Sequence, residues 1–403
     1  MNNKNAVTLL ILSTIPIPFS TLPNFVIPLR LTYAVIIFIV FFSLSFYKLI
    51  NDFKFESKYF KFIFSLFLLY ELSIVVRGWP FSTDTLKELL WVNYLFLPFV
   101  VPLFVYFDKS FSTLAYLLKN SYYLCLVFLI ICLFLPKMVF TRDYAEQVIS
   151  TFAIGSGFLM MNGKYISNTK LNVSFFVAFI SLLSLIFLAR RNGIVTFGGF
   201  IVAGWFLNDS NRSKTILIRI FPLIIGVVVV VLLSFPNLTN SLTKKLSGRL
   251  LEDTRSDVFE MYFIDMKDHM LFGKGLNGSY YFPTGGDLMD DGVTRTDVVD
   301  NRNIIENGIL QLTLNGGIIH VVLFFLVLIP ASINGIFQSS NLFTKACGAF
   351  ILLWLIDMFV YGLPAFGLHY ILVWISVGIC YKSSIRTKTD DEIKYEFQKY
   401  LVI

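Results

Sequence analysis

Long apolar runs, separated by short polar turns, follow one another along almost the whole chain. A membrane-spanning helix needs about 20 mostly apolar residues. Runs that approach this length are found at 6–22, 26–47, 60–76, 89–107, 120–135, 171–188, 193–207, 215–235, 304–329, 346–361 and 365–381. The pattern predicts an all-α, polytopic membrane helix bundle with about 11–12 transmembrane helices.

Two polar regions interrupt this pattern. The longest is the stretch 236–303, which predicts one long extracytoplasmic loop inside a single membrane domain, 1–381. The second is the charged segment 382–403, which predicts a cytoplasmic tail. The first apolar run has a signal-like core, but a second run follows at once without a clear small-residue cleavage site, so we interpret it as a retained helix.

Basic residues in the short loops set the expected orientation. The segment 48–61 holds four lysines and the tail holds five basic residues, so both should face the cytoplasm. Two cytoplasmic ends require an even number of crossings, whereas eleven runs are apparent. The weakly apolar segment 145–162 supplies a twelfth crossing, and this places Arg190, Arg191 and the loop 236–303 outside. Alternatively, 145–162 lies in the interface and another helix is divided differently.

Composition supports a chain dissolved in lipid. Hydrophobic residues make up 56% and charged residues 15% of the 403 residues, against roughly a quarter charged in globular proteins. The formal charge of +7 is explained mainly by loops that orient the protein, so no nucleic-acid partner is expected. The four cysteines lie in apolar runs without metal-ligand spacing, which argues against a disulfide or zinc framework.

A double arginine, Arg190-Arg191, stands in the turn 188–193 between two apolar helices. Arginine forks match phosphate oxygens in a bidentate way and stay charged. Arg-Arg is also common at helix ends, where it is an ordinary topological anchor. Taken alone, the pair favours the anchor; on the outer face it would form a compact cationic site.

The long loop contains a predicted amphipathic helix that begins near Arg255 and leads to the glycine turn 273–275. Its apolar positions recur at helical spacing. They are Val258, Phe259, Tyr262, Phe263 and Met266. Such a helix could lie on the lipid surface and fence a lateral opening, or merely cover the bundle. Arg255 could equally pair with an acidic neighbour, Glu252 or Asp257.

Glu306 and Asn307 stand where the charged end of the loop, which also holds Arg302, enters a spanning helix. Glu306 at this edge could act as a general base, and Asn307 could donate a hydrogen bond to an oxyanion or a sugar hydroxyl. An acid at a helix entry is also favoured by the helix dipole alone, and this simpler interpretation has more weight.

Four ionisable residues fall within apolar runs and are therefore functional candidates. They are Glu71, His320, Asp357 and His369. Glu71 could pair with Arg77 if the helix bends. For Asp357, a buried packing role and a proton-relay role are equally compatible with the sequence.

Taken together, the turn 190–193, the segment from Arg255 to Gly275, and the segment 306–319 (ENGILQLTLNGGII) resemble the bacterial O-antigen polymerase and O-antigen ligase superfamily. The last segment is similar to the family's acid-or-His, Asn, Leu and Gly-Ile-Ile helix start. The architecture agrees over nearly the whole chain, although the motifs are short. Ligases usually place histidine before the asparagine, whereas Glu306 stands here, so the resemblance favours a polymerase.

The resemblance implies a glycosyltransferase of the bacterial inner membrane that acts on its periplasmic or outer side without metal or cofactor. Its substrates would be undecaprenyl-diphosphate-linked glycans in the membrane lipid, and a chain-length regulator and a flippase are possible partners. Catalysis would fall to Glu306 as base and Arg255. Diphosphate or glycan binding would fall to Arg190, Arg191, Arg302 and Asn307.

Three other functions fit parts of the pattern. An O-antigen ligase would use the same site to transfer glycan to the lipid A core. A secondary transporter suits twelve helices and membrane acids, but no inverted repeat is visible. A non-catalytic partner in envelope assembly would tolerate alanine at Arg255 and Glu306 without any change in glycan chain length.

Overall fold

The computed structural model describes residues 2–15, 31–50, 56–78, 97–188, 190–208, 256–281, 301–360 and 362–401. These residues form an α-helical bundle with one two-residue strand pair. The α-helices are α1 (Asn3–Ser13), α2 (Leu31–Leu49), α3 (Lys58–Arg77), α4 (Leu97–Val100), α5 (Phe111–Phe134), α6 (Lys137–Phe140), α7 (Arg142–Val148), α8 (Ile154–Met161), α9 (Asn168–Phe187), α10 (Arg191–Leu207), α11 (Ser256–Met266), α12 (Gly308–Phe337), α13 (Leu342–Val360), α14 (Leu368–Cys380), α15 (Ser383–Arg386) and α16 (Asp390–Leu401). The strands β1 (Tyr280–Tyr281) and β2 (Asn301–Arg302) pair antiparallel.

Five of the described helices are long and apolar enough to cross a membrane: α3, α5, α9, α12 and α13. Two shorter apolar helices, 37–49 and 368–380, accompany them. Their outward faces carry large exposed apolar side chains, among them Leu69, Leu133 and Phe337. Apolar residues on both the inside and the outside are expected where lipid replaces water. The chain is therefore an all-α, polytopic membrane protein.

The bundle has two chemically distinct ends. At the tail end, Asp390 of α16 bonds to Lys164, and Asn3 of α1 donates to Asp108. At the loop end, α11 packs against the start of α12, and Tyr262 donates to the Leu310 carbonyl at 2.9 Å. Helices α12, α13 and α14 run between these ends in alternating directions.

The chain segment 142–161 also runs from one end to the other. It consists of α7, a π-helical turn (Ile149–Ala153) and α8. Glu146 pairs with Arg190 at the loop end, whereas Lys164, just beyond α8, pairs with Asp390 at the tail end. Twenty helical residues span about 30 Å. The segment therefore runs the length of the bundle, while its crossing of the membrane stays a prediction.

Helix α12 is broken in its first half. Gly317 has φ 70° and ψ −174° inside the helix. This backbone conformation is essentially restricted to glycine. The residues before and after Gly317 therefore form two helical pieces, and the carbonyl and N–H groups freed at the break need partners from elsewhere.

Several local predictions are corrected by the structure. The run 89–107 is described from Leu97 and forms the short α4 and a 3₁₀ segment (Val101–Tyr106), because Pro98 and Pro102 prevent a regular helix. The run 304–329 becomes a helix from Gly308 to Phe337. The run 215–235 lies outside the described residues, as do 236–255 and 282–300 of the long loop.

The expected apolar face of the loop helix is only partly buried. Tyr262 and Met266 are fully buried, but Phe263 is 48% exposed. An exposed Phe263 is compatible with the expectation that this face could lie on lipid, which stays a prediction. Ile264, Leu271 and Phe272 are also exposed apolar side chains.

Candidate functional site

The loop after α11 closes the break in α12. The Lys274 and Gly275 N–H groups donate to the Leu314 and Asn315 carbonyls at 2.8 and 2.9 Å. In return, the Ile318 N–H donates to the Met270 carbonyl at 2.8 Å. The loop thus supplies partners to backbone groups that the broken helix cannot pair itself. Irregular backbone inside a membrane protein is tolerated only where protein or water satisfies it.

Close backbone approach makes this contact possible. Gly273 and Gly275 have φ of 69° and 86°. A Cβ at Gly273 would lie 2.5 Å from the Gly317 nitrogen, so only glycine fits. Arg77 at the end of α3 also binds this turn, because its guanidinium donates hydrogen bonds to the Phe272 and Gly273 carbonyls. The Arg77–Glu71 pair, which was expected only if the helix bends, does not form, and Glu71 has another partner: it lies 3.6 Å from His320 Nε2.

A stripe of amides on α12 joins this loop to the segment that carries Glu306. Gln311 accepts from the Ile305 N–H at 2.9 Å and donates to the Asn303 carbonyl at 3.2 Å. It also donates to Asn315 Oδ1 at 2.9 Å, and Asn315 donates onward to the Gly275 and Leu276 carbonyls. Gln311 and Asn315 are 5% and 6% exposed. Buried amides bonded in this way fix the backbone on either side of them.

Asn307 is the N-cap of α12. Its Oδ1 accepts from the Ile309 and Leu310 N–H groups at 3.1 Å, and its Nδ2 donates to the Phe359 carbonyl at 3.0 Å. The cap satisfies two of the free N–H groups at the helix start. Its amide is therefore engaged in structure in this conformation, while the preceding Glu306 is exposed.

Arg302, Glu306 and Tyr280 share one neighbourhood on the strand pair. Tyr280 is opposite Arg302 in register and is 1% exposed. Burial raises the pKa of the Tyr280 phenol; the Arg302 charge and hydrogen bond oppose this rise, and the Glu306 charge adds to it. The charges of Glu306, the predicted base, and of Arg302, the predicted cation, therefore both influence the Tyr280 hydroxyl, in opposite directions.

The two arginines of the pair Arg190-Arg191 lie in different surroundings. Arg190 Nε lies 3.0 Å from Glu146 Oε1, and both side chains are partly exposed, at 25% and 32%. Arg191 begins α10 and is exposed. Glu146 thus offsets the charge of one predicted phosphate ligand, and Arg191 is the more accessible cation of the pair.

A cavity of about 290 Å³ lies beside this turn. Its wall includes Glu146, Asn192, Thr196, Asp357 and Tyr370. Asp357 is 6% exposed, and its Oδ1 has no hydrogen-bond partner among the described residues. A mostly apolar cavity of this size, with a few polar groups and a buried carboxylate in its wall, suits a small ligand or part of a larger one.

The segment 362–367 connects the cavity to the start of α12. Gly362, Leu363 and Ala365 line the cavity, and a Cβ on Gly308 would clash with the Gly362 carbonyl. Arg190, Arg191, Arg302, Glu306 and Asn307 therefore lie at the same end of the bundle, on two sides of this segment. Arg255 lies outside the described residues.

Three contributors to this site escaped the sequence analysis: Gln311, Asn315 and Glu146. A signal for the two amides was present, since Asn307, Gln311 and Asn315 recur every four residues in an otherwise apolar helix. Glu146 gave no comparable signal, because its pairing with Arg190 is a tertiary contact.

No family model, curated protein or solved structure matches this chain. Fold and site geometry thus define its class: an all-α, polytopic membrane protein with a carboxylate-bearing cavity at one end.

Proposed function

We propose that this protein polymerises undecaprenyl-diphosphate-linked oligosaccharide repeat units into O-antigen, capsule or exopolysaccharide. The observation that supports this function best is the cavity at the loop end, whose mostly apolar wall carries the carboxylates of Glu146 and Asp357. It lies beside the turn of Arg190 and Arg191, and its wall includes the segment 362–367, which contacts the start of α12 after Glu306. A cationic side and a carboxylate side are what glycosyl transfer from a lipid diphosphate requires.

In the proposed reaction, a hydroxyl of one glycan attacks the anomeric carbon of another. The new C–O bond forms as the bond between that carbon and the diphosphate oxygen breaks. Glu306 takes the hydroxyl proton as general base. Arg191, Arg302 and Arg190 offset the negative charge that grows on the departing lipid diphosphate. Arg255 joins them on the basis of the resemblance.

The chemistry also sets the proposed location. Lipid-linked glycans of this kind are presented outside the bacterial inner membrane, so the loop end would face the periplasm or cell exterior. The basic tail would face the cytoplasm. A flippase that supplies the donor and a regulator of chain length are the partners that such a polymerase needs.

A direct test is polymerisation in vitro with purified protein and an undecaprenyl-diphosphate-linked repeat unit. Glu306→Gln removes the base but keeps the shape, and we expect turnover to fall about 10²- to 10⁴-fold. Glu260→Gln is the matched control, because Glu260 is an exposed acid on α11 at the same end. Equal activity of the two variants would remove Glu306 from the mechanism.

A deletion strain separates polymerase from ligase. Loss of the surface-polysaccharide ladder with a single repeat retained supports a polymerase, whereas complete absence of capped core supports a ligase. Unchanged glycan chain length in an Arg302→Ala, Glu306→Ala double variant points to a non-catalytic assembly partner.

A secondary transporter is the second candidate, because discontinuous helices near the membrane midplane are typical of that class and α12 is broken at Gly317. In transporters, the free backbone groups at such breaks bind the ion or substrate. Here the loop 270–276 occupies the carbonyls of Leu314 and Asn315. Substrate uptake into vesicles that persists in Glu306→Gln would favour the transporter.

A further inference from the structure

A second, smaller cavity lies deeper in the bundle between α3, α12 and α14. Its volume is about 40 Å³, and its polar lining consists of Glu71, Gln311, Asn315, His320 and Tyr370. Leu363, Ala365 and Tyr370 belong to the walls of both cavities. A water molecule needs about 10–15 Å³ on this measure, so the space accommodates about three or four.

Glu71 and His320 form a buried pair on the wall of this cavity. The distance from His320 Nε2 to Glu71 Oε1 is 3.6 Å, and the two side chains are 2% and 7% exposed. Glu71 Oε2 and His320 Nε2 have no hydrogen-bond partner among the described residues. The amides of Gln311 and Asn315 are committed to backbone groups and to each other.

The imidazole of His320 is fixed in one orientation. Its Nδ1 lies 3.3 Å from the Leu312 carbonyl. Because a carbonyl only accepts, Nδ1 carries a proton, and the remaining nitrogen, Nε2, faces Glu71. The rings of Phe67 and Phe99 stack on the imidazole at centroid distances of 5.8 and 6.1 Å. A ring flipped by 180° would keep the stacking but lose the hydrogen bond to the Leu312 carbonyl.

Charge balance limits the proton content of the pair. With no proton beyond the one on Nδ1, Glu71 would be a buried carboxylate without a counter-charge. With two more, His320 would be a buried imidazolium beside a neutral acid. One proton leaves the pair neutral overall, either as acid and imidazole or as carboxylate and imidazolium, and avoids burying a net charge.

Other groups around the pair leave this balance intact. Tyr70 on α3 and Tyr370 on α14 are neutral phenols that face it. Arg77 is a cation whose charge acts on His320. Its guanidinium donates hydrogen bonds to the Phe272 and Gly273 carbonyls. Arg77 would further disfavour a net positive pair.

We propose that Glu71 and His320 form a proton-binding site that holds one exchangeable proton between them, in contact with the small cavity. Water in the cavity, reached past Tyr370 from the larger cavity, would carry the proton in and out. The site goes beyond the proposed glycan chemistry and does not depend on it. The Glu71–His320 pair connects α3 to the part of α12 that follows Gly317, next to the contact between α12 and the loop 270–276.

The chain has only three histidines, so nitrogen NMR can test this site. In ¹⁵N-histidine-labelled full-length protein, His269→Gln and His369→Gln assign the other two ring signals by their loss. Infrared spectra of the wild type and Glu71→Gln show whether a carboxylic-acid C=O band belongs to Glu71. If Glu71→Gln does not fold, Glu71→Asp assigns the band by shifting it.

At neutral pH we expect one additional proton: either a Glu71 acid band with an unprotonated His320 Nε2, or a protonated Nε2 without that band. Both results support the site. Neither signal, or both together, would overturn it. The measurement uses no glycan, so its outcome is separate from the fate of the polymerase proposal.

Discussion

The two halves of the bundle, the tail end and the half that carries the loop, differ in how their carboxylates are paired. At the tail end, Asp390 accepts from Lys164 at 2.7 Å, from Tyr165, and from the Leu342 N–H at 2.7 Å. In the loop half, Asp357 and Glu71 each retain a buried oxygen without a hydrogen-bond partner among the described residues. Unsatisfied buried polar atoms are uncommon in native proteins, because each is destabilising.

This difference indicates that the tail end has mainly a structural role, whereas the half that carries the loop holds the candidate functional site. The tail end contains polar contacts that fasten α13, α16 and the turn 163–165 together. The loop half contains two cavities, a broken helix and a carboxylate-bearing wall. Local violations of good packing persist where they serve a function and are compensated nearby. Here the compensation comes from the backbone hydrogen bonds between the loop 270–276 and the break in α12, a contact that we call the joint.

The joint should be the most sensitive position in the molecule. In Gly317→Ala, the new Cβ would collide with the Leu271 carbonyl, and the backbone conformation is unsuited to alanine. We expect the free energy of unfolding to fall by more than about 3 kcal/mol, enough to abolish folding in many hosts. Thermal unfolding in detergent measures the effect.

Gly198→Ala is the matched control, because a Cβ at Gly198 on α10 meets nothing within 4 Å. Replacing glycine by alanine inside a helix stabilises it by about 0.5–1 kcal/mol. A Gly317→Ala variant as stable as Gly198→Ala would mean that the break in α12 is not needed by the fold.

The amide stripe is the next most sensitive feature. Asn315→Leu leaves the Gly275 and Leu276 carbonyls without their side-chain donor and removes one of the two acceptors of the Gln311 amide. We expect a loss of about 2 kcal/mol and faster thiol labelling of a Leu271→Cys reporter, because the loop would detach from α12.

Thr313→Val on the same helix is the control for this loss. Thr313 donates to the Ile309 carbonyl, one turn back, at 2.8 Å. The substitution keeps the side-chain shape and leaves the loop contact intact, so labelling at position 271 should not change. Equal labelling in both variants would show that Asn315 does not hold the loop.

The periodicity of apolar residues was sufficient to predict the class of fold, but it did not predict the joint between the loop 270–276 and α12. Runs of apolar residues follow from the lipid environment, which acts on every residue separately, so α3, α9 and α13 were placed within a few residues, whereas α5 begins nine residues before the predicted run 120–135. The break at Gly317 depends on a loop more than 40 residues earlier in the chain. Glycine is also frequent where membrane helices pack closely without any break, so the pair Gly316-Gly317 does not by itself predict one.

The site shows the same division. Glu306 and Asn307 stand at a helix start that composition and capping preferences made visible. The pairing of Arg190 with Glu146, and of Glu71 with His320, joins residues about 44 and 249 positions apart. No local pattern fixes such contacts. The sequence offered Arg77 as a partner of Glu71 only if the helix bends, and it could not name His320, because that residue lies on another helix.

The smallest effect should come from the tail end, even though its contacts look the strongest. Burial raises the pKa of Asp390, but hydrogen bonds from Lys164, Tyr165 and the Leu342 N–H outweigh this, so its pKa lies below the ordinary value of 3.8. A carboxyl whose pKa is lowered by folding stabilises the folded state above 3.8. That stabilisation is lost as the pH falls through the lower, folded-state pKa.

For Asp390→Asn we therefore expect a loss of up to about 1 kcal/mol at neutral pH, since partly exposed ion pairs contribute little. The difference from the wild type should shrink towards zero once the pH is below the folded-state pKa. Asp391→Asn, an exposed neighbour on the same turn, should show no comparable pH dependence. A loss at Asp390 larger than at Asn315 would reverse the comparison, because the tail contacts rather than the loop joint would then hold the bundle together.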